Sequence, residues 1–139
     1  MKSIYLKAAF YLTLAGSLFA GYMSGVKIFS HTCPFNETCP YFLSYPACWF
    51  GLAMFFTMFI ISILGLLKKI TCCHVKKTLS FISLLGILFA GRYVVDEIML
   101  YLNQGVSHYT LILPTCTYGL IFYIIIFTIS MKRCENGTC

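Results

Sequence analysis

The sequence has few charged residues, and acidic residues are the scarcest of these. Of its 139 residues, 10% are charged and only four are Asp or Glu, whereas 60% are hydrophobic. A soluble domain of ordinary composition has roughly 25% charged residues. The lack of charge argues against a soluble globular domain, and the mean hydropathy of +0.86 favours a protein whose solvent is lipid.

Long apolar stretches account for most of the chain. Each has the roughly 20 residues that a helix needs to cross the hydrocarbon core of a bilayer. In lipid, backbone polar groups must be satisfied within their own segment, and the alternating strands of a barrel are missing. We therefore expect an all-α fold, an integral membrane four-helix bundle that occupies 1–139 as a single domain. The expected spans are about Ala8–Val26, Ala47–Leu67, Thr78–Leu102 and Leu111–Met131.

Lys and Arg are missing from two of the connecting segments, 28–45 and 103–110. Because cytoplasmic connections carry the excess of basic residues, both termini and the middle connection are predicted to be cytoplasmic. The net charge of +6 is then a topology signal, and we expect membrane lipid and no nucleic acid as a partner. The basic residues on which this depends are Lys2, Lys7, Lys68, Lys69, Lys76, Lys77, Lys132 and Arg133.

An internal repeat divides the chain in two. LAGSLFAG at 14–21 returns as LLGILFAG at 84–91, and YPACWFGL at 45–52 returns as LPTCTYGL at 113–120. Coincident Gly, Pro and Cys are much rarer by chance than general hydrophobic similarity. We expect two two-helix repeats, at about 4–67 and 75–131, and a cytoplasmic tail at 132–139. Because two helices return the chain to the same side, the copies should be parallel, related by an axis along the membrane normal.

Small residues recur at corresponding places in the first and third helices. They are Gly16, Ala20 and Ser24 in the first copy, and Gly86 and Ala90 in the second. Small residues at this spacing allow helix backbones to pack closely in lipid. We therefore expect the first and third helices to approach each other along these positions.

The eight cysteines fall into pairs by position. Cys33 and Cys39 lie in the outer loop, where thiols tend to oxidise, and Cys72 and Cys73 lie in the cytoplasmic loop, where thiols usually stay reduced. The cysteine spacings are looser than those of zinc sites, and His31, His74 and His108 are spread over both faces of the membrane. We expect no metal site.

Cys48 and Cys116 occupy the same place in the two copies, each two residues after a proline that fits the first turn of a helix. In that turn, unpaired N–H groups and the positive end of the helix dipole stabilise a thiolate. A buried Cys is otherwise simply a small apolar residue. The symmetric pair, next to the loop cysteines, favours redox chemistry.

Both motifs resemble those of the vitamin K epoxide reductase and bacterial disulfide-generating quinone reductase group. CPFNETCPYFLSYPACWFGL is similar to that family's outer cysteine pair, followed by its loop serine and second helix. LPTC is similar to the Cys-Pro-x-Cys motif at the start of the family's fourth helix. The resemblance implies a four-helix membrane enzyme that oxidises partner thiols and reduces a quinone of the ubiquinone, menaquinone or vitamin K type.

The resemblance also implies roles for single residues. Cys33 and Cys39 would be shuttle cysteines that exchange with a thioredoxin-like thiol protein on the outer face, and Cys116 would face the quinone. Leu113 stands where the family has the first cysteine of its motif, so Cys48 is the candidate partner of Cys116. Ser44 matches the loop serine, and we take Ser44, Tyr118 and Cys116 as quinone-binding residues.

Arg92 is a further candidate for the quinone site, because charges inside a bilayer mark functional sites. It shares a helix face with Asp96, four residues later. The pair would form a polar wall for the quinone head group, or else a structural salt bridge.

Three functions are consistent with the sequence. The first is a membrane thiol–quinone oxidoreductase, the second a non-catalytic protein that binds a quinone or another lipophilic ligand, and the third a structural subunit of a membrane complex. In each case we expect the cell membrane of a bacterium or archaeon, or the endoplasmic reticulum if the source is eukaryotic.

Overall fold

The computed structural model describes residues 2–30, 41–42, 45–104 and 115–131. These residues form four helices, as expected: α1 Lys2–Ser30, α2 Ala47–Leu66, α3 Cys72–Gln104 and α4 Thr115–Ser130. Two short strands, β1 Tyr41–Phe42 and β2 Tyr45–Pro46, were not expected and pair antiparallel just before α2.

Among the described residues, three helices are long and apolar enough to cross a membrane, over Ile4–Phe29, Ala47–Leu66 and Cys72–Asp96. The fourth apolar helix is shorter, at Cys116–Ser130. The expected fourth span began at Leu111, and residues 111–114 lie outside the described part of the chain.

Hydroxyl groups lie inside the bundle, whereas large apolar side chains cover its outside. Thr13, Ser62 and Ser83 are fully buried, and each donates a hydrogen bond to the carbonyl oxygen four residues earlier in its helix, over 2.6–2.9 Å. The helices thereby satisfy these three buried hydroxyls themselves. Apolar surfaces of this kind suit lipid, since they would be costly to expose to water. The most exposed apolar side chains include Ile4, Leu18, Phe29, Phe81, Leu88 and Leu102.

Each helix packs mainly against its partner in the same sequence repeat, α1 against α2 and α3 against α4. Smaller contacts join α2 to α3 and α1 to α4. The helices therefore follow one another around the bundle, and α2 faces α4 across its centre. The centre is filled by Phe55 and Tyr123, whose rings stack with centroids 4.4 Å apart and planes 13° from parallel.

Gly16 and Gly86 make room for these two rings. A Cβ built on Gly16 would lie 2.5 Å from the ring of Phe55, and one on Gly86 would lie 2.5 Å from the ring of Tyr123. The expectation that these glycines bring α1 and α3 together is therefore wrong. Each glycine receives an aromatic side chain from the helix that follows it in the chain.

The connection between α2 and α3 is short and ends α2 with a Schellman motif. The amide of Lys69 donates to the carbonyl oxygen of Leu64 at 3.0 Å, and the amide of Lys68 donates to that of Gly65 at 3.1 Å. Lys68 adopts the left-handed conformation that this motif requires, with φ of 57°. Cys72 and Cys73, which were expected in a loop, are the first residues of α3. Cys72 is disulfide-bonded, so the expectation of a reduced thiol there is wrong.

Candidate functional site

Cys48 and Cys116 each occupy the second position of a helix, Cys48 in α2 and Cys116 in α4. The prediction that both lie in a first helical turn is confirmed. Pro46 differs slightly from expectation, because it ends β2 and immediately precedes α2. The pairing of Pro46 with Tyr41 fixes the direction from which the chain enters α2.

The two cysteines line one cavity of about 80 Å³ between the four helices, which we call the cysteine cavity. Both are partly buried and carry thiols rather than a disulfide. The structure thus brings together two of the four predicted redox cysteines. The other lining residues are Phe19, Ala20, Met23, Ala47, Gly51, Phe55, Phe89, Ala90, Tyr93, Gly119 and Tyr123.

The wall of the cysteine cavity consists largely of corresponding positions in the two sequence repeats. Six pairs of lining residues are separated by the offsets of 70 or 68 residues that relate the repeats, and one of them is Met23 and Tyr93. The other five pairs are Phe19 and Phe89, Ala20 and Ala90, Cys48 and Cys116, Gly51 and Gly119, and Phe55 and Tyr123. Each half of the chain therefore contributes a similar set of groups.

Aromatic contacts beside the cavity repeat in the same way. Phe19 of α1 lies against Tyr118 of α4, with ring centroids 6.2 Å apart. Phe89 of α3 lies against Phe50 of α2 at 5.9 Å. Phe19 corresponds to Phe89 in the repeat, and Phe50 corresponds to Tyr118. The two contacts are therefore the same contact made once by each half of the chain.

The stacked rings of Phe55 and Tyr123 close the cavity two helical turns below the cysteines. The hydroxyl of Tyr123 donates to the backbone oxygen of Gly51 at 3.4 Å, which ties α4 to α2. Gly51 and Gly119 keep the space above the rings open, because a Cβ on either would meet no atom within 4 Å. Sequence reasoning did not single out Phe55 or Tyr123, although the 68-residue offset relates them.

Arg92 lies beside the cysteine cavity and not in its wall. It forms an ion pair with Asp96 on the exposed face of α3, where the side chains are 69% and 51% exposed. A second pocket, of about 250 Å³, lies between this ion pair and the rings of Phe89 and Tyr93. Since those two rings also line the cysteine cavity, the pockets adjoin.

The remaining predicted site residues lie elsewhere. Tyr118 contacts Phe19 behind the cavity wall. Cys33, Cys39 and Ser44 lie outside the described residues. Within 2–30, 41–42, 45–104 and 115–131, no group of three or more His, Cys, Asp or Glu side chains is arranged to hold a metal ion.

Size and polarity limit what the cysteine cavity accepts. Ligand pockets usually enclose about 300–1,000 Å³, several times the volume here. A cavity with apolar walls also gives water few hydrogen-bond partners and tends to stay dry. As it stands, the cavity fits part of a flat apolar ring, and a whole head group would require neighbouring aromatic side chains to turn aside.

Comparison of the chain with protein-family models, curated proteins and solved structures finds no match. Its function is therefore inferred from the cavity, the two thiols and the distribution of charge.

Proposed function

We propose that the chain is an integral membrane protein built from two parallel helical hairpins, α1–α2 and α3–α4, related by a pseudo-two-fold axis along the membrane normal. Such an axis relates the contact of Gly16 with Phe55 to that of Gly86 with Tyr123. It also relates the two aromatic contacts beside the cavity to each other. It passes between the stacked rings of Phe55 and Tyr123, which are corresponding residues. These contacts support a parallel arrangement, because they keep corresponding residues at equal depth.

The lysine-rich α2–α3 connection lies at the cytoplasmic face in this arrangement. Lys68, Lys69, Lys76 and Lys77 lie in or near that connection, and positive charge favours the cytoplasmic side. Both chain termini then belong to the same face. The first turns of α2 and α4, with Cys48 and Cys116, point to the outer face.

The protein acts as a thiol–disulfide oxidoreductase that passes electrons from partner thiols to a quinone. The observation that carries this proposal is that Cys48 and Cys116, from corresponding positions, line one cavity with aromatic walls. Aromatic faces suit the flat ring of a quinone. A helix N-terminus favours the thiolate, which is the reactive form of cysteine.

The reaction balances with the groups available. Two thiols form a disulfide and release two electrons and two protons, which convert the quinone to a hydroquinone. A dithiol of the partner protein then reduces the disulfide by exchange and leaves as a disulfide itself. Cys116 is the thiol beside the quinone, and Cys48 or the loop residue Cys39 supplies the second sulfur.

A direct disulfide between Cys48 and Cys116 depends on how closely the first turns of α2 and α4 approach. Their helices face each other across the bundle, whereas a disulfide needs Cα atoms within about 7 Å. The open space above Gly51 and Gly119 permits the first turns of α2 and α4 to approach.

Quinone reduction by the purified protein in lipid nanodiscs tests the proposal. Dithiothreitol serves as the reductant and a short-chain ubiquinone as the acceptor, and loss of the quinone absorbance is measured above the uncatalysed background. We expect Cys116→Ser to abolish the activity and Cys48→Ser to reduce it. Cys73→Ser, which changes a thiol outside the cavity, is the matched control and should leave the rate unchanged. Full activity in Cys116→Ser would refute the role given to that thiol.

A second set of variants tests whether the quinone occupies the cysteine cavity. Gly119→Val places methyl groups in the open space of the cavity. Gly91→Val is the control: a Cβ at Gly91 also meets no atom within 4 Å, but Gly91 does not line the cavity. Trp49, the single tryptophan of the chain, lies next to Cys48 and reports a bound quinone by fluorescence quenching. We expect Gly119→Val to abolish the quenching and Gly91→Val to retain it. Equal quenching in the two variants would place the quinone elsewhere.

Non-catalytic binding of an apolar ligand is the second candidate function. It is favoured by the nearly apolar wall of the cavity and by Leu113, which stands where the resemblance expects a cysteine. A protein of this kind would show the quenching of Trp49 and would not consume quinone in the presence of dithiothreitol. The two measurements together separate the candidates.

A further inference from the structure

A second site lies at the opposite end of the bundle from the cysteine cavity. It is a groove of about 860 Å³ along α3 and the end of α4, which we call the lysine groove. His74, Lys76 and Lys77 lie at one end of it, and Phe81 and Leu84 lie further along α3. Neither the redox chemistry nor the cysteine cavity uses any of these residues.

The groove changes from basic to apolar along its length. Lys77, Phe81 and Leu84 are spaced by four and three residues, so they follow one another on one face of α3. At 1.5 Å per residue, Leu84 lies roughly 10 Å beyond Lys77. Phe81 is 62% exposed, so its ring is available for contact. Cations followed by exposed apolar side chains over this distance match the order of head group and acyl chain in a phospholipid.

The basic end of the groove is held in place by packing. Lys76 is only 6% exposed, and its ammonium lies 5.0 Å from the ring centroid of Tyr5. The hydroxyl of Tyr5 is 3.1 Å from that of Ser130. These contacts link α1, α3 and α4 at this end of the bundle, next to the exposed side chain of Lys77.

The described segment 64–84 contains four lysines and no Asp or Glu, so this stretch of the chain carries a strong excess of positive charge. The cytoplasmic leaflet of a membrane carries negative lipids, and each nearby lysine strengthens attraction to it by about fivefold. Charge complementarity therefore favours a negative head group over a zwitterionic one.

We propose that the lysine groove binds an anionic phospholipid of the cytoplasmic leaflet. The phosphate group contacts the exposed side chains of Lys77 and His74, and an acyl chain lies along Phe81 and Leu84. This inference rests on the membrane placement proposed above, and it is independent of the quinone reaction.

Lipid-dependent stability of the detergent-solubilised protein tests the inference. The midpoint of thermal unfolding is followed by the fluorescence of Trp49 during titration with dioleoylphosphatidylglycerol, dioleoylphosphatidylcholine or inorganic phosphate. We expect phosphatidylglycerol to raise the midpoint at a concentration at least fivefold lower than the concentration of phosphatidylcholine that gives the same rise. Phosphate alone should have no such effect. Equal effects of the two lipids, or an equal effect of phosphate, would overturn the proposal.

Substitutions locate the effect in the groove. Lys77→Gln should raise the phosphatidylglycerol concentration needed by about fivefold, and Phe81→Ala should also weaken the response. Lys7→Gln removes an exposed charge from α1, outside the groove, and should respond like the original protein. If Lys7→Gln and Lys77→Gln weaken the response equally, the lipid is attracted by the overall positive charge of the protein, and a specific site in the groove is refuted.

Cys116→Ser separates this proposal from the redox function. The variant should lose quinone reduction and retain the full response to phosphatidylglycerol. A lipid response lost in Cys116→Ser would place the lipid in the cysteine cavity and overturn the assignment to the groove.

Discussion

The close contact between Gly86 and Tyr123 predicts that adding a single methyl group at Gly86 destabilises the bundle. A Cβ on Gly86 would lie 2.5 Å from two carbon atoms of the Tyr123 ring and 2.7 Å from a third. Favourable contacts between carbon atoms lie at about 3.5–4.0 Å. In Gly86→Ala the ring must therefore move by roughly 1 Å.

The surroundings of Tyr123 resist that movement. The side chain is 3% exposed, stacks on Phe55 and donates its hydroxyl to Gly51. Overpacking of this kind costs about 1–3 kcal/mol. Replacing a helical Gly by Ala offsets up to about 1 kcal/mol of that cost. We expect a net loss of about 1–2 kcal/mol, which lowers the unfolding midpoint by about 3–8 °C in a chain of this length.

Thermal unfolding in detergent, followed by the fluorescence of Trp49, measures the shift. Gly91→Ala is the matched control, since Gly91 is on the same helix and a Cβ there meets no atom within 4 Å. Its midpoint should stay the same or rise. Adding Tyr123→Leu to Gly86→Ala should recover part of the loss, because the smaller side chain leaves room for the methyl group. If Gly86→Ala is as stable as Gly91→Ala, the packing described for the bundle centre is incorrect.

Two further predictions concern the lysine-rich end. Lys68→Gly should raise the unfolding midpoint by about 1–3 °C, because Gly adopts the left-handed conformation of this C-terminal cap without the strain of a side chain; a lower midpoint in the same unfolding assay would contradict this. Lys69→Cys places an additional thiol in the exposed α2–α3 turn. Compared with the original protein, a membrane-impermeant maleimide should add label only after the cells are permeabilised. Added label in intact cells would reverse the proposed orientation.

The sequence predicts the four helices because long apolar runs and prolines have strong local effects. Ala47, the expected start of the second span, is the first residue of α2. The start of α3 was placed too late, at Thr78 instead of Cys72. Hydropathy marks the part of a helix that is suited to lipid. Residues 72–77 include His74, Lys76 and Lys77, which lower the hydropathy, but no Gly or Pro that would end a helix.

The neighbours of the small residues were harder to predict. A glycine shows that something approaches the helix closely, but it does not show which element does so. Gly16 accepts Phe55 and Gly86 accepts Tyr123, where an approach of α1 to α3 was expected. The repeat contains the missing information, because an aromatic residue lies at corresponding positions, 39 residues after Gly16 and 37 after Gly86.

The differences between the halves bear on which thiol meets the ligand. Met23 and Phe55 line the cysteine cavity from the first half, and Tyr93 and Tyr123 occupy the corresponding positions in the second. Both phenolic hydroxyls of the described wall therefore come from the half that carries Cys116. The hydroxyl of Tyr123 is engaged with Gly51, so under the proposed function Tyr93 is the residue that we expect to donate to a quinone oxygen. A ligand held in this way has its polar edge toward α3 and α4, which favours Cys116 over Cys48 as the thiol that reacts with it.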